Sequence, residues 1–234
     1  DTHAVFSLVL SNPSVEPVVL SLALADGSAL VGTDTGSDLE YFDGSAWQAV
    51  AGTVTIPAGQ TTLLVRTTVT DDALDENPET FTLTAVHVSG TLLSSADVTA
   101  TGTITDDDPA PGLSINDVAV NEAAGSATFT VTLGAPSGLT VTVDYATASG
   151  SATSGADFTA ASGSLTFAPG ETSKTVTVSI TNDGTYEGLE TFTVDLSNAA
   201  NATFLDASGT GSITDDAVSY THLRAHETPE QLVC

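Results

Sequence analysis

Asp71-Asp72-Ala73-Leu74-Asp75-Glu76-Asn77-Pro78-Glu79-Thr80-Phe81-Thr82 has a second copy in the chain, Asn182-Asp183-Gly184-Thr185-Tyr186-Glu187-Gly188-Leu189-Glu190-Thr191-Phe192-Thr193, with its acids and phenylalanine at matching positions. Upstream, Pro57-Ala58-Gly59-Gln60-Thr61 leads to Val65 and Val69 as Ala168-Pro169-Gly170-Glu171-Thr172 leads to Val176 and Ile180. Downstream, the copies close alike on Gly102-Thr103-Ile104-Thr105-Asp106-Asp107 and Gly211-Ser212-Ile213-Thr214-Asp215-Asp216. The repeat is roughly 110 residues long, the size of one β-sandwich domain.

Around these anchors apolar residues recur at every second position, the period of a strand with one buried face. In the second copy Leu113, Ile115 and Val118 mark a first strand, Ala127 to Leu133 a second, and Leu139 to Tyr145 a third. Leu165 and Phe167 mark a fourth, Val176 to Ile180 a fifth, Phe192 to Leu196 a sixth, and Gly209 to Thr214 a seventh. Gly, Pro, Asn and Ser separate them, and no helical stripe competes over residues 1 to 216. The expected fold is all-β, two tandem Ig-like antiparallel β-sandwich domains over residues 1–108 and 113–216. Residues 109–112, with two prolines, are read as a stiff linker. Residues 217–234 break the pattern with two histidines, an arginine and the single cysteine, resemble mistranslated adapter DNA, and are expected to be foreign to the repeat. The opening at Asp1, in mid-pattern and without methionine, reads as a truncated first domain.

The 234 residues include 30 acidic and 3 basic side chains, a formal charge of -27, which repels nucleic acid and anionic lipid and favours cations. Only 14% of residues are charged while 41% are hydrophobic, so the acids stand in clusters on a chain able to bury a core. No apolar run reaches the 18 or so residues of a membrane helix. Nucleophile elbow, phosphate loop and zincin motifs are absent, His3 and His87 lack partners at useful spacing, and Trp47 alone cannot wall a sugar cleft, so no enzyme is expected.

If successive strands run antiparallel, Glu122, Asp157, the run 182–190 and Asp215-Asp216 all arrive at one end of the second sandwich. Carboxylates packed so closely raise one another's pKa unless a cation neutralises them. The donors are all oxygen and come from several loops, which suits calcium, with six to eight ligands in a roomy cage, better than octahedral magnesium.

The doubled Asp-Asp-x-x-x-Glu-x-x-Glu-x-Phe motif and the closing Gly-Thr-Ile-x-Asp-Asp resemble the Calx-β domain, found in sodium–calcium exchanger regulatory regions and in large bacterial surface proteins. The resemblance implies Ca2+ ligands Glu122, Asp157, Asp183, Glu187, Asp215 and Asp216 in the second copy. In the first it implies Asp38, Asp71, Asp72, Glu76, Asp106, Asp107 and Asp108, with the Leu74 carbonyl as an extra donor. Glu79 and Glu190 stay open between ligand and loop support, Asn182 replaces one motif aspartate, and the first copy's counterpart of Glu122 falls before Asp1. The expected role is a calcium-binding spacer of a large extracellular repeat protein, a bacterial adhesin, stiffened by calcium at domain ends and junctions, with neighbouring repeats as partners. The alternatives are a calcium-sensing regulatory pair of a membrane transporter and an accessory module of a secreted hydrolase.

Overall fold

Alternate residues of a strand face opposite ways, so the repeat's period-two pattern builds sheets with one apolar face each. The structure, a computed structural model, describes residues 2–90 and 97–217. Two compact units result, divided between Pro109 and Ala110. The first holds β1 (His3–Val9), β2 (Val18–Asp26), β3 (Glu40–Phe42), β4 (Trp47–Ala49), β5 (Thr53–Ile56), β6 (Thr62–Thr68), β7 (Glu79–Ser89) and β8 (Val98–Ile104). Its sheets run β1-β6-β3-β4 and β5-β2-β7-β8, with every pairing antiparallel.

The second holds β9 (Gly112–Ile115), β10 (Val118–Asn121), β11 (Ser126–Leu133), β12 (Val141–Ser149), β13 (Ser162–Phe167), β14 (Ser173–Ser179), β15 (Glu190–Ala200), β16 (Thr203–Asp206) and β17 (Ser208–Thr214). Here the sheets run β14-β11-β9-β16 and β10-β17-β15-β12-β13, antiparallel except where β10 lies parallel to β17 and β16 to β9.

Most strand threonines lie on the outer faces and most aromatic or branched residues face inward, with Thr35 and Thr67 as buried exceptions. In the second unit Ala127, Phe129, Val131 and Leu133 of β11 join Val176 and Val178 of β14 in one core. Phe192 is its centre, stacked on Phe158 at 4.6 Å and edge-on to Phe129 at 5.8 Å. The first unit repeats the edge-on pair as Phe6 and Phe81, also at 5.8 Å. Thr35 occupies the place of Phe158, since Thr35 bridges Val69 as Phe158 bridges Ile180. Glycine in the closing motif follows from these rings: a Cβ on Gly102 would stand 2.7 Å from the Phe81 ring, and one on Gly211 would overlap Phe192.

Three features depart from the sequence reading. The first strand of the second unit is two strands in two sheets, because Ile115 and Val118 are three residues apart and the buried phase slips between them. The slip is pinned where the Asn116 side chain accepts the Thr130 N–H at 2.6 Å and the Asp117 carboxylate accepts that of Thr210 at 2.7 Å. Gly112, read as linker, begins β9. β16 was not anticipated, since all four of its residues are exposed and carry no alternation signal.

The first unit also inserts a hairpin, β3–β4, whose Trp47 packs on Phe42 at 5.4 Å and beneath Arg66 at 4.2 Å. Its turn is closed by Asp43, whose carboxylate accepts the N–H groups of Ala46 and Ser45, holding its pKa at about 2. Among the described residues no helix is long and apolar enough to cross a membrane. The expectation that 217–234 is foreign falls, from residue 218 on, outside the described residues.

Candidate metal centre

Four segments of the second unit bring acids to one end. Glu122 opens a single 3-10 turn, Glu122–Ala124, set by the Asn121 side chain accepting the Ala123 N–H and by Gly125 in the left-handed conformation. It is 6% exposed, and its carboxylate accepts the Asp183 N–H at 2.9 Å. Asp157 follows β12, held where its carboxylate accepts the Thr153 N–H at 2.6 Å and its carbonyl accepts that of Thr181 at 2.9 Å. Asp215, just past β17, accepts the N–H groups of Glu187 at 2.6 Å and Ala217 at 2.7 Å.

Carboxylate oxygens of Glu122, Asp215 and Asp216 lie within 4.8 Å of one another, as do those of Asp157, Glu187 and Glu190. One cavity is lined by Glu122, Asp157, Glu187, Glu190 and Asp215. Asp183 is outside that lining, its carboxylate turned to the Thr185 N–H at 2.6 Å, yet it is among the charges that act on Glu187.

The first unit assembles the same pattern. Asp34, Asp71, Asp72, Glu76, Glu79 and Asp106 to Asp108 line one cavity. Asp106 accepts the Glu76 N–H at 3.1 Å, as Asp215 does that of Glu187. The sequence placed Asp38 in this set, and the structure places Asp34 there instead. The Asp34 carboxylate accepts the Leu30 N–H at 2.6 Å and its carbonyl the Thr70 N–H at 2.9 Å, reproducing both bonds of Asp157. Asp38 stands outside the cavity, exposed, with its carbonyl taken by the Thr67 hydroxyl at 3.1 Å. A legible signal did exist: Gly32 and Gly155, both at φ 94, precede Asp34 and Asp157 by two residues. Leu74 is likewise outside the lining; its N–H donates to the Asp72 carboxylate at 2.9 Å. Glu79 and Glu190, left open by sequence, line the two cavities.

Among the described residues neither end has a basic side chain paired with its acids. Of the three basic side chains, Arg66 pairs with Glu40 at 2.7 Å and Lys174 with Glu171 at 2.8 Å, while Arg224 lies outside the described residues. Burial, then repulsion by Asp72, Asp34 and Asp106, raises the pKa of Glu76. Burial, then repulsion by Asp34 and Glu76, raises that of Glu79. Desolvation, then Asp106 and Asp107, raises Asp108. Glu187 and Glu190 are raised by burial and then by Asp157. A set of oxygen donors drawn from several loops, with one acid buried, fits a hard cation of high coordination number.

A pH dependence follows. A carboxyl whose folded pKa is raised binds more protons folded than unfolded, so stability falls as pH climbs from the unfolded value through the folded one. In chelator, the melting temperature is therefore expected to rise as pH is lowered from about 7 toward about 5. Asp43, with the opposite sign, acts only below about 4. Melting curves across that range check this, and a temperature that falls on acidification contradicts it.

The family profile described as Calx-beta domain matches residues 1–108 and again 105–217. The chain is similar to sodium/calcium exchanger 1 of Bos taurus, 40% identical over 80 residues, which is 34% of this chain and 8% of the relative. The exchanger of Canis lupus familiaris is 44% identical over 59 residues, 25% of this chain and 6% of the relative. The chain thus spans less than a tenth of the curated relatives it matches. Among solved structures, the apo-form Calx CBD1 domain aligns over 45% of this chain and 98% of its own, with TM-score 0.43 and 24% identity. The CBD12 structure from CALX1.2 aligns over 91% and 93%, with TM-score 0.41 and 19% identity.

Proposed function

The chain belongs to the Calx-beta domain family, and from that premise we propose that it is a calcium-responsive pair of binding domains within a longer protein, with no catalysis of its own. One observation carries the reading: at one end of each unit, carboxylates from separate segments share a cavity with no basic partner among the described residues. The proposed ligands are Glu122, Asp157, Asp183, Glu187, Asp215 and Asp216 in the second unit, with Glu190 beside them. In the first they are Asp34, Asp71, Asp72, Glu76, Asp106, Asp107 and Asp108, with Glu79. Calcium would supply the positive charge that lets these groups stay ionised while packed together.

The chain's own part is to hold the carboxylates ready. Backbone N–H groups orient Glu122, Asp157, Asp106 and Asp215, and β8 and β17 fix where the closing aspartates emerge. The two Asp/Glu-rich loops, 71–79 and 182–190, are tied down chiefly through these carboxylates, so neutralising the acids orders the loops. That is how a sensor differs from an inert spacer, and the similarity to sodium/calcium exchangers supports a regulatory role over an extracellular bacterial spacer, which none of the relatives described above supports.

Hydrogen exchange tests the response. At a hundredfold excess of calcium over Kd, amides of residues 71–79 and 182–190 should exchange about 100-fold more slowly than in chelator, while those of β11 change little. Unchanged loop exchange would remove the sensing role.

A further inference from the structure

The arm that carries Asp34 is anchored differently from the arm that carries Asp157. In the second unit the residue after Asp157 is Phe158, buried and stacked on Phe192 at 4.6 Å. In the first unit Thr35 takes that place, also buried, with no hydrogen-bond partner for its hydroxyl among the described residues. A ring packed on a ring fixes the backbone beside it, and a threonine has neither the volume nor the stacking to do the same.

The first unit has a longer ladder instead. The Asp34 carbonyl accepts the Thr70 N–H at 2.9 Å, the Gly36 N–H donates to the Thr68 carbonyl at 3.0 Å, and the Thr67 hydroxyl donates to the Gly36 carbonyl at 2.9 Å. The ladder runs on as β3 against β6, with Glu40 opposite Arg66 and Tyr41 opposite Val65. In the second unit the matching contact stops where the Ser179 carbonyl accepts the Thr159 N–H, and β14 pairs only with β11. Phe6 pairs with Val65 as Phe129 pairs with Val176, so Thr177 holds the place of Arg66.

Arg66 is gripped twice at the end of this ladder. Its Nε donates to Glu40 at 2.7 Å, and its guanidinium lies 4.2 Å from the centre of the Trp47 ring, which packs on Phe42. One side chain thus ties β6, which leads into Asp71 and Asp72, to β3, which arrives from Asp34, and to β4. Arg66 is the only lysine or arginine of the first unit, yet it is not among the charges that act on Glu76, Glu79 or Asp108. Its influence on the site therefore runs through the backbone and not through direct neutralisation.

We propose that Glu40, Arg66 and Trp47 are positioning residues of the first acidic site: they clamp together the two strands that deliver Asp34 and Asp71, so that occupancy of the site changes the surroundings of Trp47. The second unit needs no such clamp, because Phe158 anchors its arm from within the core. The proposal rests on the calcium reading for the identity of the ligand, whereas the clamp itself is open to test without calcium.

Hydrogen exchange of the whole chain in chelator is the first measurement. In Arg66→Gln the amides of Leu30 and Thr70, which donate to Asp34, are expected to exchange about five- to tenfold faster than in the parent. Those of Thr153 and Thr181, which donate to Asp157, should not change. A general loss of stability would speed β2 and β7 as well; the clamp predicts that they change little. Arg66→Lys, which keeps a charge for Glu40, should restore part of the protection, and Glu40→Gln should act on the same amides if Arg66→Gln fails to fold. Calcium titration is the second measurement. Trp47, the only tryptophan in the chain, should change its emission in step with the first unit's binding heat. In Arg66→Gln that change should vanish and the first unit's affinity fall about five- to tenfold, with the second unit's affinity kept. Amides indifferent to these variants, or a Trp47 emission unmoved while calcium binds in the first unit, overturn the proposal. If the amides respond but no calcium binds there, the clamp stands and the calcium reading of that unit falls.

Discussion

Phe192→Ala is expected to abolish the calorimetric transition of the second unit near room temperature and above while leaving that of the first in place. Phe192 is fully buried and contacts both Phe129 and Phe158 at 5.8 and 4.6 Å. Removing a ring from such a site costs about 3–5 kcal/mol in transfer and cavity terms. Each lost aromatic pair adds about 0.5–1.5 kcal/mol. Domains of this size are stable by only about 5–15 kcal/mol, so the sum takes most of the margin. Phe81→Ala, with a single ring partner, should cost the first unit less. Two transitions that move together in either variant would show that the units do not unfold independently.

The sandwich core was readable because its strands repeat at a strict period of two, and the residues so marked in β11, β14 and β15 are those the structure buries. Legibility failed where that period breaks or vanishes. A change of sheet between Ile115 and Val118 looks like one strand with a stumble, because sequence spacing does not say which sheet a residue joins. β16 is exposed along its length, and β3 and β4 have three residues each, too few to display alternation.

The site was legible for a different reason. Antiparallel connectivity sends alternate loops to the same end, so acids distant in sequence could be placed together from the strand pattern alone, and Glu122, Asp157, Glu187 and Asp215 do share a cavity. Asp38 was misplaced because two aspartates stand four apart in that loop and composition cannot choose between them. The choice is made by backbone: the left-handed glycine at 32 turns the chain so that the Asp34 carboxylate caps Leu30. The depth of Glu122, an acid among the buried residues, was also not apparent from composition.

Asp215→Ala carries the largest expected effect on binding. In the absence of calcium its consequences oppose one another: two backbone N–H groups, of Glu187 and Ala217, lose their acceptor at about 1 kcal/mol each, while one repelling charge leaves the cluster. The melting temperature in chelator should therefore change little. With calcium the losses add, because the variant lacks both a carboxylate donor and the bond that positions Glu187. An affinity loss of at least about 100-fold at the second unit is expected, since ligand charge and rigidity tune calcium sites over several decades. The direct measurement is titration calorimetry of calcium into the parent chain and into Asp215→Ala. The account predicts saturable binding in the parent, assignable to both units, with the second unit's share lost in the variant and the first's retained. A parent chain that gives no heat of binding and no calcium-dependent rise in melting temperature, or a variant that titrates like its parent, would contradict it.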